Sequence, residues 1–146
     1  MPEVHVKESI TIKRKAGDIY GFWRHFENLP RFIDHLDSVE DLGGGRSRWT
    51  IKTPVGDLGW ESEIVRDEEN EVIEWHSLPG SRVQNRGALS LAEKEGGATE
   101  VTVELSYKPP GKYNSFLEDT VLDVVTGEQM KEDLKNLKRM MESGTP

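Results

Sequence analysis

This chain encodes an α+β domain, an antiparallel sheet with helices on one face, and three observations carry that reading. Ser47–Lys52, Leu58–Ile64 and Val72–Ser77 each alternate apolar with polar residues, the period of a half-buried strand. In each, a tryptophan (Trp49, Trp60, Trp75) shares its face with Ile, Leu or Ser, while Arg, Lys, Glu and His lie mainly on the other. One long amphipathic segment then closes the chain, as a helix would that covers the sheet.

The elements follow in order. Val4–Ile12 alternates as an opening strand, except that Glu8 lies on the apolar parity. That acid is near a bulge, at a strand edge, or a polar group facing inward. Ile19, Phe22, Trp23 and Phe26 then follow the i, i+3, i+4, i+7 spacing of one helical stripe, with Asp18 as N-cap or first-turn acid. Asn28-Leu29-Pro30 ends that helix, because proline disfavours a helical residue before it. Pro30 opens a second short helix through Phe32, Ile33 and Leu36.

About six meandering strands follow. Gly43-Gly44-Gly45, Pro54-Val55-Gly56-Asp57, Asp67–Asn70, Pro79-Gly80 and Glu95-Gly96-Gly97 mark the turns. Val83–Leu91 is strand-like, with Gly87 marking a bend or a close approach. Val101, Val103, Leu105 and Tyr107 share one side of the last strand, and Pro109-Pro110-Gly111 stops the sheet. The terminal helix spans about Tyr113 to Glu142. Its stripes, Leu117–Val121–Val124 and Met130–Leu134–Leu137–Met141, slip by one residue near Gly127, which predicts a kink.

A chain of 146 residues is one ordinary domain, here 1–146. It lacks cysteine, which excludes disulfides and a thiolate nucleophile. With 27 acidic against 19 basic residues, the net charge of −8 repels phosphate backbones, so nucleic acid is not an expected partner. No apolar run is long enough for integral membrane association, and no basic leader with an apolar core is visible, so a cytoplasmic protein is expected.

Chemistry-bearing motifs are sparse. His5, His25, His35 and His76 show no metal-ligand spacing, so neither a metal nor another cofactor is expected. No G-x-S-x-G elbow and no spaced carboxylate pair appear, so no catalytic residue is assigned. With the terminal helix over the concave face, Trp49, Trp60 and Trp75 face inward together with Ser62, Ser77 and Asn85. Phe26 and Phe32 from the short helices, His35 at the mouth and Phe116 from the terminal segment join them. An apolar wall with a few polar groups is the make-up of a small-molecule site. Unpaired, each of the two hydroxyls and the amide would cost about 1–3 kcal/mol, so each needs backbone, water or ligand.

Ala16–Trp23, Phe26–Phe32, Arg46–Trp49, Ile73–Gly80, Gly97–Val101 and Tyr107–Gly111, in this order, resemble the helix-grip fold of the START-like (SRPBCC) superfamily. The nearest likeness is to its bacterial polyketide cyclase/dehydrase and coenzyme Q-binding branch, over nearly the whole chain. The resemblance implies a curved sheet wrapped around a long C-terminal helix, with a deep apolar cavity between them. Members of the superfamily use that cavity for lipids, isoprenoid quinones, polyketides or plant hormones. The expected function is therefore binding of a hydrophobic or amphipathic small molecule. The alternatives are an aromatase/cyclase- or dehydratase-like enzyme, which holds a flexible chain in a productive fold, and a protein-interaction module or homodimer using the acidic surface and an exposed face of Trp23.

Overall fold

The structure, a computed structural model, describes residues 4–34, 36–53, 56–81, 83–108 and 126–144. Seven antiparallel strands form one curved sheet: β1 (Val4–Ile12), β2 (Leu36–Gly43), β3 (Arg46–Thr53), β4 (Gly56–Glu68), β5 (Val72–Ser77), β6 (Gln84–Lys94) and β7 (Ala98–Lys108). Their spatial order is β1-β7-β6-β5-β4-β3-β2, a meander in which β1 closes back on the last strand. Between β1 and β2 lie helix α1 (Ala16–Arg24) and a 3-10 helix (Phe26–Arg31), and helix α2 (Gly127–Glu142) follows the sheet. This is the α+β helix-grip arrangement expected from the sequence.

The core lies between the concave sheet face and the helices, where Ile12, Leu58, Ile73, Leu89 and Val101 from the sheet meet Ile19, Leu137 and Met141 from α1 and α2. Strand alternation puts those residues inward and leaves Arg48, His76 and Arg86 on the convex side. The glycine turn at 43–45 is a hairpin, with all three residues at positive φ (84°, 64° and 81°), where a side chain would clash with its own backbone. Glu8 sits on edge strand β1 in unbroken register with β7, and its Oε2 would lie 3.3 Å from a Cβ on Gly127. The inward-facing alternative therefore holds, with the carboxylate beside the start of α2, where the helix dipole favours negative charge.

Three boundaries differ from expectation. First, α1 stops at Arg24, because His25 leaves the helical region (ψ 88°), and Phe26 opens the 3-10 helix while remaining buried. Second, Pro30 lies inside that 3-10 helix, and Leu36 begins β2 instead of continuing a helix. A bulge between Leu36 and Ser38 puts Leu36 and Val39 on one face, a spacing of three that imitates helical periodicity. Third, Gly127 is a start and not a kink. Thr126 is extended (φ −115°, ψ 160°) and its side chain accepts the Gln129 N–H at 3.0 Å as N-cap. The expected helix over 113–125 and its stripe of Leu117, Val121 and Val124 lie outside the described residues, as do Pro54-Val55 and Pro109-Pro110-Gly111.

Candidate functional site

The inner face carries an aromatic ladder. Trp49 stacks between Trp60 and Trp75, with centroids 6.1 and 6.2 Å away and planes tilted by 21° and 22°. Alternation on three adjacent strands builds it, since Trp49 and Trp60 are direct cross-strand partners. Phe26 caps the ladder edge-on, 5.6 Å from Trp49 and 5.4 Å from Trp75. Trp23 reaches down from α1 to Phe32 (5.3 Å) and Trp75 (6.5 Å). It is 3% exposed, so the exposed Trp23 face expected for a partner is not present.

Beside the ladder lies a recess of about 130 Å³ between the sheet, the 3-10 helix and α2. An apolar cavity of about 150 Å³ holds a benzene-sized molecule, so the recess as it stands has room for a small organic group. Trp23, Trp49, Trp60 and Trp75 form one side, with Ile51, Val103 and Leu105 from the sheet and Phe32, Met130 and Leu134 from the helices. The polar members of this wall are Asn85, Ser106, Tyr107, Thr126 and Asp133.

Of the residues expected at a ligand site, Trp49, Trp60, Trp75, Asn85 and Phe32 line this recess. Phe26, Ser62 and Ser77 do not: Phe26 packs behind the ladder, and the two serines lie further along the sheet. His35 and Phe116 lie outside the described residues. Ser77 Oγ accepts the backbone N–H of Asn85 at 3.0 Å, so backbone satisfies it. The Asn85 amide donates to the Val83 carbonyl at 3.0 Å. Ser47, Ser62 and Ser77 form a buried cross-strand row, in which Ser47 Oγ accepts the Trp49 indole N–H at 2.8 Å while Ser62 Oγ has no partner among the described residues. The indole N–H groups of Trp23 and Trp60 are likewise buried and unpaired among the described residues.

Four polar wall residues, Ser106, Tyr107, Thr126 and Asp133, escaped the sequence reading. Tyr107 faces Asn85 across β6 and β7, and burial pushes its phenol above the usual range. Asp133 is 8% exposed on α2 and accepts from Gln129 Nε2 at 2.9 Å. Its signal was present: an acid three residues after Met130 stands on the buried stripe of Met130, Leu134, Leu137 and Met141. Among the described residues, no group of three His, Asp or Glu stands together as a metal site, and no helix is long and apolar enough to cross a membrane.

A helix set against a concave antiparallel sheet, with an apolar recess between, defines a START-like ligand-binding fold. Within that class, the chain belongs to the family described as polyketide cyclase / dehydrase and lipid transport, which it matches over residues 12–130. Protein DR_A0006 of Deinococcus radiodurans is 36% identical, with a TM-score of 0.81 over 97% of this chain and 98% of that one. A START superfamily protein of Mycobacterium smegmatis is 15% identical (TM-score 0.74; 97% and 99% covered). The Zhui aromatase/cyclase of Streptomyces sp. R1128 is 16% identical (TM-score 0.75; 97% and 94% covered). The last two likenesses show the shared fold alone.

Proposed function

We propose that this protein is a cytoplasmic, single-domain carrier that shelters a hydrophobic or amphipathic small molecule in the recess between the sheet and α2. The observation that carries the reading is the wall itself: indoles and aliphatic side chains around about 130 Å³, with a few polar groups among them. Apolar area removed from water there contributes roughly 25 cal/mol per Å². Asn85 and Tyr107, adjacent on β6 and β7, are positioned to orient a polar end. Trp49, Trp60, Trp75 and Phe32 supply the burial. Lipids, isoprenoid quinones and polyketide-like molecules offer apolar groups of this kind with few polar atoms, and a whole molecule of that size needs the recess to widen as it enters.

Equilibrium titration with uncharged fluorescent dyes, quinones and lipids, together with native mass spectrometry of the freshly purified protein, tests the reading. Saturable one-to-one binding displaced by apolar competitors supports it. No binding by any of them refutes it.

A second reading, a cyclase- or dehydratase-like enzyme, is favoured by one observation: the Tyr107 phenol and the Asp133 carboxyl share the recess wall. A carboxylate and a phenol facing one bound chain are the groups that proton transfer requires. Turnover of a poly-β-keto substrate that is lost in both Tyr107→Phe and Asp133→Asn, with ligand affinity kept, would select this reading over simple carriage.

A further inference from the structure

We infer that α1 is the gate of the recess, held shut by a latch in which Tyr20 and Arg24 both grip Asp67. The inference rests on the carrier reading, since a gate needs something to admit.

Helix α1 is weak on its own. It has nine residues, two of them glycine (Gly17 and Gly21), and its N-cap Lys15 makes no side-chain capping bond, while at the other end Asn28 Nδ2 donates to the Phe22 carbonyl at 2.9 Å. Glycine is a poorer helix former than alanine, and helices this short are marginal in isolation. Its stability therefore comes from what its two faces touch. The inner face contributes Ile19, Phe22 and Trp23, and Trp23 is itself part of the recess wall. That closed position leaves the Trp23 indole N–H buried without an acceptor among the described residues, an opposing cost that water removes when the helix lifts.

The outer face holds the latch. Tyr20 Oη donates to Asp67 Oδ1 at 2.5 Å, and Arg24 Nε donates to Asp67 Oδ2 at 2.7 Å. The two donors stand one helical turn apart, and each takes one oxygen of a single carboxylate at the end of β4. The flanking segments define where α1 turns. Before it, Arg14 is pinned, its carbonyl accepting from Thr99 Oγ1 (2.8 Å) and its guanidinium donating to the Met141 carbonyl (2.5 Å). After it, the chain breaks at His25, and the far side of the 3-10 helix is tied to α2 by Asn136 Nδ2 donating to the Phe32 carbonyl at 3.1 Å. Helix α1 is thus the weakly held element between two fixed points, and its release uncovers the Trp23 side of the recess.

Stopped-flow capture and release of Nile red, an uncharged apolar dye, tests this on the full chain. The latch holds both the empty and the filled protein closed. Asp67→Asn is therefore expected to speed capture and release together by roughly three- to tenfold, with equilibrium affinity changed by less than about twofold. Tyr20→Phe, which removes one of the two bonds, has a smaller effect in the same direction. Hydrogen exchange gives a second readout: α1 amides exchange faster in Asp67→Asn, while β6 and β7 amides keep wild-type protection.

A third variant closes the gate covalently. The chain has no cysteine, and a Cβ on Gly17 would lie 3.7 Å from Asn70 Cγ. Gly17→Cys with Asn70→Cys, oxidised, slows dye capture at least about tenfold, and reduction restores it. If that pair does not fold, the two single replacements still decide. Equal dye kinetics in wild type, Asp67→Asn and Tyr20→Phe overturn the gate and leave the carrier standing. Failure of wild-type protein to take up the dye removes both.

Discussion

The indole of Trp75 lies over Gly87, its cross-strand partner on β6, so closely that a Cβ on Gly87 would meet Trp75 Cε2 at 2.5 Å and Leu105 Cδ2 at 2.7 Å. The glycine is there for space, and the space lets the third rung of the aromatic ladder lie flat on the sheet. Gly87→Ala overpacks this point and should cost about 1–3 kcal/mol, read as a lower denaturation midpoint at unchanged slope. An unchanged midpoint would show that the indole moves aside freely.

Ser62 and Ser77 are adjacent, buried and chemically alike, yet their replacement should differ. Ser62 Oγ is fully buried and unpaired among the described residues, so Ser62→Ala removes an unsatisfied hydroxyl and should be neutral or stabilising, within about 1 kcal/mol. Ser77 Oγ accepts the half-buried Asn85 N–H, so Ser77→Ala leaves that donor without its partner and should cost about 1 kcal/mol or more. Urea denaturation of the two variants measures the contrast.

Filling the recess should separate binding from folding. Val103 is 4% exposed on its floor, and Val103→Phe adds bulk on the cavity side. Dye affinity should fall by about tenfold or more while the protein keeps its cooperative thermal transition. Undiminished affinity would place the ligand elsewhere.

The contribution of Asp67 to stability should depend on pH at both extremes. Burial opposes its ionisation, but the hydrogen bonds from Tyr20 and Arg24 and the Arg24 charge outweigh burial and hold the carboxyl below its usual range. Its contribution is complete above the unfolded pKa of about 3.9 and disappears as pH falls through the folded value. Burial first, and then the Asp67 hydrogen bond, raise the Tyr20 phenol. That contribution is complete below about pH 10 and lost as pH rises through the folded value. The gap in unfolding free energy between wild type and Asp67→Asn should therefore be flat between roughly pH 5 and 9 and narrow on either side. A gap that stays constant into acid would show that the carboxylate is not held by these partners.

Much of the fold was legible because strands buried on one face write a period of two. Trp49, Trp60 and Trp75 read as one inward row, and the structure stacks them. Where one element gives way to the next, the pattern misled. Leu36, three residues after Ile33, read as the end of a helical stripe, and β2, which it opens, went unread. The recess was legible in its apolar half and not in its polar half. Ser77 faces inward as read, but backbone takes its hydroxyl before any ligand can. Asp133 and Tyr107 were overlooked because each belongs to a stripe that otherwise reads as core.

The outermost strand β2 bears on how copies of this chain behave when crowded. Its ladder with β3 is interrupted near both ends, between Leu36 and Ser38 and between Asp41 and Gly43, and Asp37, Glu40 and Asp41 line it with negative charge. A second molecule offered that margin meets an uneven, anionic border instead of a straight row of hydrogen-bonding groups. Growth into fibrils by strand addition is thereby discouraged at the place where an open sheet is most exposed to it.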